Sequence, residues 1–287
     1  MINVKFWGVR GSFPRSGKNF LQYGGHTSCV EIDVNGQIFL FDAGTGVISF
    51  YDDFKKRNYD KDLHLFLSHF HMDHVIGLPF FAPLYNQNHK LHLWSCSHDR
   101  QTSLELYLKT NLPSVMLPIP SDQISKAVVF HAFCVGDQFT FDSHINVQTI
   151  GLDHPGGAIG YRLNTYSRSI CYITDLTHKV GHINEELVEF VKGADIMIYD
   201  ATFSDENFAQ YATWGHSTWQ EGLRIAKKAG IKQYIPFHHD ANRTDKELDA
   251  IQKELQKFDS LAQLAYEGMN LHLSDSEPYK SESSASS

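Results

Sequence analysis

Cysteine is scarce in this chain and never paired in sequence: Cys29, Cys96, Cys134 and Cys171 stand far apart, with no Cys-x-x-Cys. That spacing argues against a disulfide framework or a cysteine zinc site, and for free thiols in a reducing compartment. No apolar run is long enough for a signal peptide or a membrane-crossing helix, so the expected location is the cytoplasm, away from the membrane. Basic residues do not cluster either, since 25 Lys+Arg stand against 33 Asp+Glu for a net charge of −8. A polyanion finds no electrostatic footprint on such a chain, and charge alone does not point to nucleic acid as the partner. Repeats of fixed period are also missing, which excludes solenoids and propellers.

A length of 287 residues, 42% hydrophobic and 20% charged, fits one large domain. Its expected extent is 1–273, with a Ser/Glu-rich tail, 274–287, too polar to pack and expected to be disordered. Short β-branched and aromatic runs predict strands at Ile2–Phe6, Cys29–Val34, Ile38–Phe41, Leu63–Ser68, Leu91–Ser95, Val147–Leu152, Ala158–Leu163, Ile170–Thr174, Ile196–Tyr199 and Tyr234–Phe237. Ser217 with Gln220, and Thr244 with Glu247, read as capping boxes opening helices that end near Lys228 and Lys257, with Gly230 placed to stop the first. Asp99–Leu108 and Glu185–Lys192 are further helix candidates, and Leu112–Pro120 reads as an ordered proline-rich loop.

Histidine, by contrast, is in excess: the chain has 17, several beside acidic residues. The strand Leu63–Ser68 runs into His69-Phe70-His71-Met72-Asp73-His74. Residues two apart at an extended strand end share a side, so His69 and His71 can converge on one ion while Asp73 and His74, in the turn, aim at a neighbouring one. Imidazole nitrogen and carboxylate oxygen suit zinc, and also manganese or iron.

With His-x-His-x-Asp-His after an apolar strand, the chain resembles the metallo-β-lactamase superfamily from Ile2 to about Leu264. The resemblance implies an α+β fold of the αβ/βα sandwich type, with two mixed β-sheets flanked by helices. It also implies two divalent metal ions, zinc before manganese or iron, and further ligands on later loops. Candidates occur in the right order: Asp153-His154-Pro155-Gly156-Gly157, Asp175, and His238-His239-Asp240. By that resemblance His69, His71 and His154 would hold one ion, Asp73, His74 and His238 the other, and Asp175 would bridge them. His238 is preferred to His239, which would stand outside the ligand set. Asp42 in Asp42-Ala43-Gly44-Thr45-Gly46 resembles the family's early Asp-x-Gly motif, which supports the metals without ligating them; Asp153 and Asp200 are weaker candidates for the same part.

Gly8-Val9-Arg10-Gly11-Ser12, Gly24-Gly25-His26-Thr27-Ser28, Asp200-Ala201-Thr202-Phe203 and Gly215-His216-Ser217-Thr218 resemble the branch containing ribonuclease Z and related phosphodiesterases. His26 departs from the asparagine expected at its position, which leaves its role open. The branch implies catalysis by a hydroxide shared between the ions, with the ligand Asp73 also a catalytic residue and His216 as proton donor to the leaving oxygen. A small phosphodiester such as a cyclic nucleotide is the expected substrate, and a homodimer is the assembly that the branch implies; the alternatives are tRNA 3′ processing, or lactone or thioester hydrolysis on the same scaffold. Ribonuclease Z of bacteria grips tRNA with an arm between the segments matching His154 and Asp175, and the short interval 155–174 argues against one here. Phe80, Phe81, Pro83 and Tyr85 are candidates for a substrate-facing wall.

Overall fold

The computed structural model describes residues 1–86, 89–96 and 128–274. The helix expected at Asp99–Leu108, the loop Leu112–Pro120 and the tail beyond Ser274 lie outside the described residues. Two sheets form the centre. The seven-stranded one runs, in spatial order, Asn270–Leu273, Ile2–Gly8, Cys29–Val34, Gln37–Phe41, Leu63–Leu67, Leu91–Cys96 and Val128–Phe133. The six-stranded one runs Gln233–Phe237, Ile196–Asp200, Ser169–Ile173, Ala158–Asn164, Asn146–Leu152 and Gln138–Thr140. Both mix parallel and antiparallel neighbours, so the architecture is the αβ/βα sandwich that the resemblance implies.

Alternation of side chains builds the layers. Leu63, Leu65 and Leu67 face the helix Gly46–Phe54 through Val47, Phe50 and Phe54, while Phe66, one residue out of phase, enters the space between the sheets. There Val4, Phe39 and Phe41 meet Val147, Tyr161, Tyr172 and Ile198. On the far side Ile173, Met197 and Tyr199 pack under the helices Glu185–Val191, Trp219–Ala229 and Asp245–Leu255 through Leu187, Leu223 and Leu248. Strands covered on both faces are buried at every residue and so largely apolar, as at Leu63–Leu67 and Ile196–Asp200, where His64 and Asp200 are the polar members. Each fully buried Leu, Ile, Val or Phe contributes about 1.5–3 kcal/mol before chain entropy is counted.

The helix boundaries carry one correction. The expected box at Ser217 and Gln220 does not form; Thr218 is the cap, its hydroxyl accepting from the Glu221 N–H at 3.0 Å. Ser217 is buried instead, bonded to the Tyr199 hydroxyl and the His178 ring. Gly230 ends that helix with φ 69°, and the box at Thr244 and Glu247 forms as read. Not foreseen were the strands Val128–Phe133, Gln138–Thr140 and Asn270–Leu273, and the helices Gly46–Phe54 and Asp205–Tyr211. Gln138–Thr140 and Asn270–Leu273 are short sheet-edge strands of mixed polarity, fixed by a single partner rather than by a pattern of their own. No helix among the described residues is long and apolar enough to cross a membrane.

Strand direction then gathers the polar residues. Ser169–Ile173, Ile196–Asp200 and Gln233–Phe237 are parallel, so Asp175, Asp200 and His238 emerge at one end. Gln37–Phe41 and Leu63–Leu67 are parallel as well, which delivers Asp42 and Ser68 side by side.

Candidate metal centre

Three turns at these strand ends adopt the left-handed conformation with a residue other than glycine: Asp42 (φ 62°), Asp175 (φ 59°) and His238 (φ 58°). Such backbones are costly for a side chain with a Cβ and persist where packing over-determines them. Here they aim a carboxylate, a second carboxylate and an imidazole into one buried volume.

Two groups of donors, and a third that overlaps them, meet there. In the first, one ligand atom from each of His69, His71, His154 and Asp175 lies within 4.8 Å of the others. In the second, Asp73, His74 and His238 meet the same condition. Asp175 adjoins both sets: its Oδ1 is 3.8 Å from His69 Nε2 and from His154 Nε2, and its Oδ2 is 3.1 Å from His74 Nε2 and 3.3 Å from His238 Nε2. Asp73 Oδ2 is 3.3 Å from His74 Nε2 and 3.1 Å from His238 Nε2, and the two imidazole nitrogens are 3.3 Å apart. Donors around a tetrahedral ion with bonds of about 2.0–2.1 Å stand about 3.3 Å from one another. The second set already has that spacing, and in the first the separations run from 2.9 Å between His71 Nδ1 and His154 Nε2 to 3.8 Å at Asp175 Oδ1. His69 Nε2 is buried with no hydrogen-bond partner among the described residues, a polar atom that a metal ion would satisfy. The residues therefore fit a pair of divalent ions.

The far nitrogens are held so that the near ones keep a free lone pair. His154 Nδ1 donates to the Gly215 carbonyl at 2.7 Å. Thr202 gives its hydroxyl proton to the His238 carbonyl and so accepts from His238 Nδ1 at 3.0 Å. His74 Nδ1 donates to Asp42 at 2.7 Å. Burial opposes charge on Asp73 and Asp175, yet the neighbouring imidazoles, His74 and His238 on both, hold the two carboxyls well below the usual carboxylate range. Of the donors only His71 is exposed, and with Met72 it marks the side on which the centre opens to solvent.

His216 lies beside the sets, its Nδ1 2.9 Å from Asp200 and 3.6 Å from Asp175. Burial alone would lower its pKa, but the charge and hydrogen bond of Asp200, joined by Asp175 and Asp73, outweigh burial and raise it to about 9. Asp200 is fully buried and also accepts from the backbone N–H groups of Asp175 and Thr202, so it pins the bridging turn as well as the imidazole. With Asp175, His216 and His238 it also forms the overlapping third group, although its oxygens are already engaged by these accepted bonds.

Asp153 does not take the supporting part expected of it: its side chain is exposed, and only its backbone carbonyl is used, by the Thr177 N–H. His239 turns away, its Nε2 on the Ala265 carbonyl at 2.8 Å, its pKa pushed down to about 3 by burial and then by Arg10. His26 belongs to none of the donor groups, and its Nδ1 lies 3.1 Å from the Thr45 hydroxyl. Of the expected wall, Phe81 and Pro83 are core, and Phe80 is the exposed member.

Sequence reasoning missed what the N-terminal motif does. Ser12 N–H donates to Asp73 Oδ2 at 2.6 Å, and buried Arg10 holds the loop through the carbonyls of Gly24, Asp240 and Arg243. A Cβ on Gly11 would sit 2.3 Å from the His238 ring. Gly11→Ala is therefore expected to displace that imidazole and weaken retention of one ion by about tenfold or more. Chelator competition against the unaltered protein measures this, and equal retention of both ions would mean the ring has room to move.

Residues 37–239 match the family model described as Beta-lactamase superfamily domain. Among curated relatives, a Ribonuclease Z of Azobacteroides pseudotrichonymphae genomovar. CFP2 is 24% identical over 281 residues, covering 84% of this chain and 90% of that protein. Another, from Lactococcus lactis subsp. lactis (strain IL1403), is 23% identical and covers 90% of this chain and 95% of its own. Among solved structures, the metallo-beta-lactamase fold protein YhfI from Bacillus subtilis aligns with a TM-score of 0.71 at 19% identity, over 94% of this chain and 98% of that one. Human tRNase Z, short form, aligns at 0.64 and 19% identity, over 95% and 100%. At such identities the structures share the fold. The family model spans most of the chain and two adjoining sets of metal-binding side chains sit at its strand ends, and on that evidence the chain belongs to the β-lactamase superfamily and is a metal-dependent hydrolase.

Proposed function

We propose that this chain hydrolyses phosphodiester bonds with two zinc ions, and that the 3′ side of a transfer-RNA precursor ranks ahead of cyclic nucleotides and other small diesters as its substrate. The observation that carries the hydrolysis is Asp175, with one oxygen toward each donor set, next to the His216–Asp200 pair. In this reading His69, His71 and His154 hold one ion, Asp73, His74 and His238 the other, and Asp175 is shared. Ions in these positions supply Lewis-acid stabilisation of the phosphoryl group and an activated water at neutral pH. The chain supplies the rest. Asp200 accepts from His216 Nδ1 and, with Asp175 and Asp73, raises the ring's pKa to about 9, so at neutral pH the ring is doubly protonated and Nε2 carries the second proton, the one offered to the departing oxygen. An alkoxide leaving group needs that proton, which favours phosphodiesters of nucleosides over activated carboxyl esters.

The order of substrates follows the relatives. Two that span most of this chain are named Ribonuclease Z, and the human structure is a tRNase Z. Between His154 and Asp175 the chain forms only the hairpin Ala158–Asn164 and Ser169–Ile173, joined by 165–168. An arm at that position is therefore absent, which removes one way of gripping RNA and leaves the chemistry of the centre unchanged. The test offers metal-loaded protein a precursor tRNA, a panel of cyclic and linear diesters, and p-nitrophenyl acetate. Cleavage at the 3′ end with a kcat/KM above every small diester supports the reading. Diester turnover without precursor cleavage reverses the order of substrates, and faster turnover of the acetate than of any diester overturns the phosphodiesterase.

A further inference from the structure

The parallel pairing of Gln37–Phe41 with Leu63–Leu67 sets Asp42 against Ser68, and the resulting bonds are short and wholly buried. Asp42 Oδ1 accepts from the Ser68 N–H at 2.7 Å. Its Oδ2 accepts from the Ser68 hydroxyl at 2.8 Å, from the Tyr172 hydroxyl at 2.7 Å and from His74 Nδ1 at 2.7 Å. A carboxylate can only accept, so the single proton of the Ser68 hydroxyl is committed to Asp42. Ser68 Oγ lies 3.0 Å from His69 Nδ1 and is left to accept there. It is also 3.4 Å from His74 Nδ1, whose proton goes to the nearer Asp42. His69 must then carry its proton on Nδ1 and present a bare Nε2, the same buried atom that has no hydrogen-bond partner among the described residues.

We infer that Ser68 is a positioning residue: its hydroxyl relays the Asp42 carboxylate to His69, so that one buried carboxylate sets the donor nitrogen of a histidine in each metal set, His74 directly and His69 through Ser68. The inference rests on His69 and His74 being ligands. Tyr172, reaching across from the other sheet, anchors Asp42 and ties the relay to the core between the sheets. The Ser68 backbone bond to Asp42 does not involve the side chain, so the hydroxyl can be removed while the strand end stays pinned.

The test uses the full chain loaded with zinc, with the two ions withdrawn stepwise by a chromophoric chelator, and cobalt(II) in place of zinc as a spectroscopic check on each position. Ser68→Ala is expected to loosen one ion by about 10–100-fold and to leave the other within about twofold, whereas Asp42→Asn loosens both. Ser68→Thr, which keeps the hydroxyl, is expected to restore the wild-type pattern. Thermal melts of the metal-free forms separate this from a structural role, for which the metal-free Ser68→Ala protein would melt lower and lose both ions together. If Ser68→Ala does not fold, Ser68→Cys, similar in size and a poorer acceptor, replaces it with the same expectation. Wild-type retention of both ions in Ser68→Ala or Ser68→Cys, or equal loosening of both ions there, overturns the relay. Wild-type protein that binds fewer than two ions overturns the ligand assignment beneath it, a result distinguishable from the first.

Discussion

Asp175→Asn is expected to bring metal content down from two ions per chain to one or fewer, and to lower turnover by more than the roughly 100-fold that loss of an outer partner costs. Asparagine is the better replacement because Asp175 has φ 59°, a conformation asparagine tolerates and alanine resists. Its amide leaves one oxygen where the native residue has two, each facing a different donor set. It also deletes the negative charge that lies among His69, His74, His154 and His238, so cations lose their main electrostatic attraction to that volume. Elemental analysis beside steady-state kinetics measures both effects. Two ions retained with undiminished turnover would sink the shared carboxylate.

His216→Ala should behave in the opposite way, keeping both ions while slowing the chemical step. A positioned acid is worth on the order of 10²–10⁴-fold, and the loss should be nearly all of that for a nucleoside leaving group and small for p-nitrophenolate, which departs without help. Protonation adds a second signature. With its pKa raised to about 9, chiefly by Asp200 against the pull of burial, His216 holds its proton at neutral pH and gives it up as pH rises through that value. Turnover of the alkoxide substrate should therefore fall on the alkaline side, and that limb should vanish in the alanine variant. Ions bound to Asp175 and Asp73 would take up part of the negative charge that supports the proton, drawing the limb below 9. Equal slowing of both substrate types would make His216 a binding group and no acid.

Most of the strands could be read from the chain because a layer covered on both sides demands mainly apolar residues in sequence, as at Leu63–Leu67 and Ile196–Asp200, each with a single polar or charged member, His64 and Asp200. Gln138–Thr140 could not, since its order comes from one neighbouring strand and its residues remain partly in water. Capping followed the same division. Thr244 and Glu247 form their box on an exposed helix end, where local chemistry decides. Ser217 was drawn into the interior by Tyr199 and His178, partners no local pattern announces.

By itself the sequence determined the kind of chemistry: His69, His71, Asp73 and His74 lie within one strand end and one turn, so their spacing alone brings nitrogen and oxygen donors together. The tertiary structure decided which of several equivalent candidates take part. Asp42 and Asp153 both follow apolar strands, yet one is buried on His74 and the other faces solvent. His238 and His239 are adjacent, and the left-handed turn at the first sends one ring toward Asp175 and the other toward Ala265. Gly11 matters only because the N-terminal loop is folded against a histidine more than two hundred positions later. Sequence spacing reports what neighbours on one element can reach, whereas the direction of a side chain at a strand end depends on the sheets, loops and buried hydrogen bonds that close around it.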